Sequence, residues 1–436
     1  MYARLICTSL LSLVALLCRP TDGRPFQAPL PRDVSGWETA AGSSNLVADP
    51  YPRLPLLSFD EKGKFKLAVF SDTHMLDGQT NPANVSNVNA ATAAEVASYL
   101  RAESPNYVFH NGDVVSGEAA NGTSVVEAAV KQLFTPLIKA KIPFSTTHGN
   151  HDNDNYCTHA SLGDIERRIA PNLSYTRRAP AGVGGGDVGS DNYWVPIYSR
   201  SNAKRGSRPA LLIWSLDSRS GKTLKEQGAL QLHFRNTQID SFVDPSVAIW
   251  LNRTSSDLQR AWGTLPPSLI FTHIPNHYFS STQNADPYQD KIGGITDERP
   301  GNFPGNDSSP KTFSGLNEDK PLANQGDAGQ DQPYLTALSR GSTGTSRIHA
   351  LVSGHDHGND WCAPSGLTTI KGEIVPICFA KKTGDGGYDY DNWNHGTRIF
   401  DFDLRTVEQS VNAYIRLKTG EKRYETRLDD TWSRKL

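Results

Sequence analysis

The sequence predicts an α/β fold. Short apolar runs of strand length alternate with amphipathic helical segments through most of its 436 residues. A β-α-β unit is already complete between Phe65 and His110. Five short elements rich in Asp, Asn and His each follow a predicted strand, the position at which open α/β sheets gather functional residues.

Residues 24–60 are Pro-rich, without a period of 2 or 3.6, and read as an extended arm. Phe65–Phe70 then reads as a buried strand. Asn89–Ala102 follows with alanines, Val96 and Leu100 at helical spacing, and Tyr107–His110 makes the second strand. Ser124-Val125-Val126-Glu127 reads as a capping box, opening a helix with Val126, Val130, Leu133, Leu137 and Ile138 on one face. Phe144–Thr147 is a third strand. Further strands are read at 210–216, 268–272, 348–353 and 374–379, with an alternating one at Thr397–Leu404. Asp244-Pro245 starts a helix that carries Val247, Trp250, Leu251, Leu258 and Trp262 on one side.

Three segments break the pattern: 179–190, 280–331 and the Gly-rich 384–396. The second is polar and far longer than the roughly 4–6 residues of an ordinary connection. It reads as a lid or a surface excursion inserted in one domain, residues 61–436.

Composition narrows the function classes. With 44 basic against 46 acidic side chains, a net charge of −2 offers no basic field for nucleic acid as the main partner. The 39 aromatic residues (8 Trp, 15 Tyr, 16 Phe) belong to a folding chain. Leu5–Cys18, between Arg4 and Arg19-Pro20, is too short for roughly 30 Å of hydrocarbon and reads as the core of a secretory signal. Cleavage near Gly23 gives residues 1–23 as signal peptide and leaves no stable membrane anchor.

Its removal leaves Cys157, Cys362 and Cys378. An odd count in an oxidising compartment predicts one bridge and one remaining thiol. A turn at Pro364-Ser365-Gly366 brings Cys362 and Cys378 together in this reading. Five Asn-x-Ser/Thr sites, at Asn84, Asn121, Asn172, Asn252 and Asn306, predict N-glycans on a secreted protein.

The chemistry is concentrated in Asp72-Thr73-His74, Gly112-Asp113, Gly149-Asn150-His151-Asp152, Thr272-His273-Ile274-Pro275 and Gly354-His355-Asp356-His357. Carboxylate, carboxamide and imidazole donors together suit Zn, Mn or Fe. In an extended Asp-x-His or His-x-His, residues i and i+2 point to one side and can face one cluster. Glycine before Asp113, Asn150 and His355 permits close backbone approach.

These five blocks, in this order, resemble the calcineurin-like metallophosphoesterase superfamily over about residues 65–405. The run from Gly354 to Cys362, with Cys378 and the Gly-rich segment, looks most like the secreted fungal and plant purple-acid-phosphatase-like subgroup. The resemblance implies a four-layer α/β/β/α sandwich, two central mixed β-sheets flanked by helices. It also implies two divalent or trivalent metal ions: Asp72, His74 and His357 on the first, Asn150, His273 and His355 on the second, and Asp113 bridging. His151 is then the proton donor to the leaving oxygen, with Asp152 helping to orient it. Two cations about 3.5–4 Å apart can acidify a shared water and neutralise phosphoryl charge.

Departures from better-known branches matter. Purple acid phosphatases proper place a Tyr three residues after the bridging Asp and owe their colour to it; here Ser116 stands there, so no violet colour is expected. Protein Ser/Thr phosphatases continue as G-D-x-V-D-R-G, whereas this chain reads Gly112-Asp113-Val114-Val115-Ser116-Gly117-Glu118. The Asp and Arg of that motif are missing. Lys381, Lys382, Tyr388, Tyr390, Trp393 and His395 are candidates, beside the cations, to meet phosphate charge, with ordinary surface or packing roles the favoured reading for each; His110, His159, His233, His277 and His349 read as structural.

There is no Gly-x-Ser-x-Gly elbow and no phosphate-binding P-loop. Cys157 near His151 and His159 does not displace the metal reading. The leading expectation is a secreted phosphomonoesterase acting on a small phosphorylated substrate. The alternatives are a phosphodiesterase for nucleotides or phospholipid headgroups and a non-catalytic metal-binding protein.

Overall fold

The structure, a computed structural model, describes residues 49–78, 84–223, 237–284, 319, 322, 329–340, 347–390 and 393–433. They lie within one compact unit, Val34–Leu436. The signal segment, Asn306, His233 and most of 280–331 fall outside the described residues.

The predicted strands form with shifts of a residue or two: β2 Lys64–Phe70, β3 Tyr107–Asn111, β4 Phe144–Thr147, β6 Leu211–Ser215, β7 Ser268–Phe271, β8 Ile348–Ser353, β10 Ile374–Phe379 and β11 Gly396–Asp403. The structure adds β1 Leu57–Ser58, β5 Tyr193–Tyr198, β9 Cys362–Thr368, β12 Val411–Leu417 and β13 Lys422–Leu428. Among the described residues they build a seven-stranded sheet, β1-β5-β6-β7-β8-β10-β9, and a six-stranded sheet, β13-β12-β11-β2-β3-β4. Both sheets are mixed.

One apolar core lies between the sheets, with Leu67, Val69 and Phe109 against Ile213, Leu269, Phe271 and Val352. Phe109 and Phe271 stack across it at 3.9 Å. The helices α1 Val85–Glu103, α2 Thr123–Ala140 and α3 His159–Ile169 bury their apolar faces on the six-stranded sheet. The helices α4 Pro245–Trp262 and α5 Gln332–Arg340 cover the seven-stranded one. Helix, sheet, sheet and helix make the four layers.

Two local readings need correction. Helix α2 starts at Thr123 behind Gly122, with no side-chain cap, so Ser124 and Glu127 both lie inside the helix and form no capping box. Cys362 and Cys378 are disulfide-bonded and face each other in antiparallel register, but the reversal is at 369–373. Pro364-Ser365-Gly366 lies within β9, where Ser365 Oγ donates to Val375 O. The end of the Pro-rich arm is also packed: buried Tyr51 donates its hydroxyl to Tyr175 O at 2.8 Å, and Leu57 pairs with Ile197.

Candidate metal centre

All five blocks leave the carboxyl end of a strand: β2 delivers Asp72 and His74, β3 Asp113, β4 Asn150 and His151, β7 His273, and β8 His355 and His357. Both sheets therefore contribute. The side-by-side placement of Asp72 and His74 does not come from extended backbone. Asp72 (φ 53°), His74 (φ 44°), Asp113 (φ 52°) and His355 (φ 77°) are left-handed, a conformation that costs a non-glycine residue about 1–3 kcal/mol.

What holds the turns is backbone pairing between them, from Asp72 N to Gly112 O and from His74 N to Asp113 O, each 2.9 Å. Gly112 (φ 95°) cannot be replaced cheaply, because a Cβ there would sit 2.1 Å from His273 Nδ1.

Two sets of ligand atoms result. Asp72, His74 and His357 form one and Asp113, His273 and His355 the other, each within 4.8 Å; Asp113 also groups with His74. His74 Nε2 is 3.1 Å from His357 Nε2 and 3.5 Å from Asp113 Oδ2. His273 Nε2 is 3.1 Å from both Asp113 Oδ2 and Asn150 Oδ1. Ligand-to-cation distances of about 2.0–2.1 Å give polyhedron edges of roughly 3.0–3.4 Å, so the spacing fits cation binding.

The outward nitrogens are also fixed. His357 Nδ1 donates to Tyr388 O at 2.6 Å and His273 Nδ1 to Asn111 O at 2.8 Å, while His74 Nδ1 lies 3.0 Å from Ser116 Oγ. Donation from Nδ1 presents the Nε2 lone pair of the neutral ring to the centre.

The charge balance points the same way. Burial pushes His355 down to about 3 and His74 well below the usual imidazole value, keeping both neutral. Burial alone would raise Asp72 and Asp113, but neighbouring imidazoles hold both below the carboxylate range. Burial likewise opposes protonation of His273, yet Asp113 draws it up to about 10. The two buried carboxylates thus attract positive charge, carried here by the His273 proton, which a bound cation would displace.

His151 stands at the rim, 37 % exposed, its backbone N–H donating to Asp113 Oδ1 at 2.9 Å. Its Nδ1 meets Glu118 Oε1 at 2.6 Å. Asp152 does not orient the ring: its carboxylate accepts the amides of Gly149, Val114 and Val115 at 2.8, 3.1 and 2.9 Å and so fixes the loop. Glu118 is the residue that sequence reasoning missed. It lies five residues beyond Asp113, and its only signal is that Ser116 stands where the protein Ser/Thr phosphatase motif has Asp.

The family model for calcineurin-like phosphoesterases matches residues 65–293, just over half of the chain. The chain belongs to the calcineurin-like phosphoesterase family. It is 23 % identical over 392 residues to "Probable inactive purple acid phosphatase 29" of Arabidopsis thaliana, covering 86 % of this phosphoesterase and 85 % of the relative. It is also 23 % identical to Phosphatase DCR2 of Saccharomyces cerevisiae, over 83 % of this chain and 55 % of that one. A purple acid phosphatase structure from yellow lupin seeds matches with 12 % identity and a TM-score of 0.42, over 85 % of this chain and about half (54 %) of the lupin protein.

The Gly-rich segment of this phosphoesterase packs directly behind the ligands. At Gly387 (φ 73°) a Cβ would approach His74 Cδ2 to 2.7 Å and His357 Cε1 to 2.9 Å, and Tyr388 stacks on His357 at 3.9 Å. The Tyr388 hydroxyl bonds Asp319, a described residue of the 280–331 segment. The remaining polar candidates hold structure. Lys381 pairs with Asp360 at 3.0 Å, Lys382 donates to Gly384 O, and His395 pairs with Asp389 and Asp385. Trp393 is buried against Tyr388 and the exposed Tyr390. Cys157 is buried, and burial pushes its thiol up and disfavours the thiolate. His110 contacts Thr73, His349 contacts Val407 O, and His277 contacts Asp331.

Proposed function

We propose that this protein is a secreted phosphoesterase with two metal ions, hydrolysing phosphate monoesters. The single observation that carries the reading is the convergence of Asp72, His74, Asp113, Asn150, His273, His355 and His357, from five strand ends on two sheets, with cation-ligand spacing. Asp72, His74 and His357 would hold one ion, Asn150, His273 and His355 the other, with Asp113 shared. The mixed oxygen and nitrogen set suits Fe, Zn or Mn. Bound cations supply Lewis-acid neutralisation of phosphoryl charge and make water nucleophilic near neutral pH.

The chain's own groups do the rest. His151, its ring held by Glu118, donates a proton to the departing oxygen. Asp152 keeps the loop that carries Asn150 and His151 in register. Three relatives carry "probable inactive" in their names; here the full ligand set with the His151–Glu118 pair supports turnover. The Cys362–Cys378 bridge and the exposure of Asn84, Asn121, Asn172 and Asn252 support passage through an oxidising, glycosylating compartment.

The test is elemental analysis joined to turnover of a chromogenic monoester and its bis-ester. Asp113→Asn should lose metal and activity together, whereas His151→Ala should keep metal and lose about 10²–10⁴-fold in kcat on a poor leaving group. Unchanged metal in the first variant would contradict the assignment. Faster turnover of the bis-ester would make the protein a diesterase, and metal without turnover of either ester would make it a binding protein.

A further inference from the structure

Behind the β4 turn lies a second group of ionisable side chains that the chemistry above does not use. His148, His159, Glu166, Asp191 and Asp217 are each at most 1 % exposed. His148 follows β4, Asp191 precedes β5, Asp217 follows β6, and His159 and Glu166 project from α3, so the group ties both sheets and a helix to the loop that carries Asn150 and His151.

His148 Nδ1 meets Asp191 Oδ2 at 2.7 Å, its Nε2 lies 3.2 Å from Glu166 Oε1, and its backbone N–H donates to the same Asp191 oxygen at 2.8 Å. His159 Nδ1 meets Asp217 Oδ2 at 2.8 Å, and Asp217 Oδ2 also accepts the Asp191 N–H at 3.0 Å.

His159 Nε2 lies 2.8 Å from Gly149 O and 2.8 Å from Asn153 Nδ2. Both amide hydrogens of Asn153 have acceptors in Val188 O and Ser220 O, each at 3.0 Å. The proton between His159 and Gly149 therefore belongs to Nε2, and His159 donates to the carbonyl immediately before Asn150. His159, Asp191 and Asp217 also group like metal ligands. Within that group, however, His159 Nδ1 is 2.8 Å from Asp217 Oδ2, a hydrogen-bond length, and 4.0 Å from Asp191 Oδ2.

We propose that this buried ladder of imidazoles and carboxylates sets the position of Asn150 and His151, with His159 as its positioning residue through the Gly149 carbonyl. The proposal rests on the metal-centre reading for Asn150. A ladder that clamps the Gly149 carbonyl from behind fixes where the Asn150 carboxamide can reach, and it should act on one cation of the pair, because Asp72, His74 and His357 leave other strand ends. Supporting side chains of this kind typically change metal affinity or activity by about 10–100-fold.

Two variants of the full-length protein separate positioning from plain stability. In His159→Gln the amide nitrogen can occupy the place of Nε2 and keep the bond to Gly149 O. In His159→Asn the shorter amide can reach Asp217 in the place of Nδ1 but leaves Gly149 O unheld. Metal-free protein is titrated with Zn²⁺ by calorimetry, and kcat and KM are measured on a phosphate monoester, with near-UV circular dichroism and Tm as controls. His159→Asn should weaken one Zn²⁺-binding event about 10–100-fold, leave the other, and lower kcat with little change in KM; His159→Gln should restore most of both.

Equal losses in the two variants that follow Tm would overturn the proposal, as would unchanged Zn²⁺ binding in His159→Asn or a third Zn²⁺ equivalent that this variant abolishes. Wild-type protein that binds no Zn²⁺ would instead overturn the metal-centre reading, and this inference with it.

Discussion

Glu118 offers the sharpest way to test the proton-donor assignment. Its carboxylate is 2.6 Å from His151 Nδ1, with the two side chains 44 % and 37 % exposed. A hydrogen bond to a charged group contributes about 1.5–3 kcal/mol when shielded, and exposure of both partners reduces this to about 0.5–1 kcal/mol. At 1.36 kcal/mol per factor of ten, Glu118→Gln should lower kcat about two- to fivefold wherever leaving-group protonation limits the rate. An alkyl phosphate, with a basic leaving oxygen, meets that condition; a nitrophenyl phosphate hardly needs protonation. The assay is kcat on both esters with bound metal measured in parallel. The expected result is a selective loss on the alkyl ester at constant metal content. An equal loss on both esters, or a loss of metal, would refute the claim that Glu118 works through His151.

Other parts of the molecule give further expectations. Glu103 is buried and accepts from Lys66 Nζ, Tyr414 Oη and Arg416 Nε at 2.9, 2.6 and 2.5 Å. Burial would raise its pKa, but Tyr414, Lys66 and Arg416 outweigh burial and hold it below the usual glutamate value. Its stabilisation is therefore complete above the ordinary glutamate pKa and fades as pH falls through the lower folded value. Denaturant titration should find Glu103→Gln about 3 kcal/mol less stable at pH 7, with the gap from wild type closing in acid. Phe271→Ala removes a ring stacked on Phe109 between the sheets and should cost about 3–5 kcal/mol by the same method. Replacing Cys362 and Cys378 together by alanine should cost at most about 3 kcal/mol, since the bridge closes a loop of only 16 residues.

Legibility in the sequence followed locality. Strands such as Ile348–Ser353 and Ile374–Phe379 were readable because both faces are buried and the apolar run is continuous. Cys362–Thr368 was not, because its Pro, Ser and Gly look like a turn and only pairing with β10 makes it a strand. Lys422–Leu428 was hidden by charge, as an edge strand carrying Lys, Arg and Glu on its open side.

The candidate ligands were readable because short motifs keep Asp, Asn and His at strand ends. The backbone that presents them was not: Asp72 and His74 meet in left-handed turns, which no alternation rule anticipates. Glu118, Asp191 and Asp217 carry no local pattern, and their roles exist only once distant segments pack.

The division of the ligands between two sheets has a mechanical consequence. Asp72, His74, Asp113 and Asn150 ride on one sheet and His273, His355 and His357 on the other, so any sliding of one layer over its neighbour pulls the ligand set apart. Cations bound in that seam, as proposed above, would act as rivets across the sandwich. At a hundred times its dissociation constant, one such ion would add about 2.7 kcal/mol to the resistance of the whole body to unfolding, and a chelator should then lower the melting temperature accordingly.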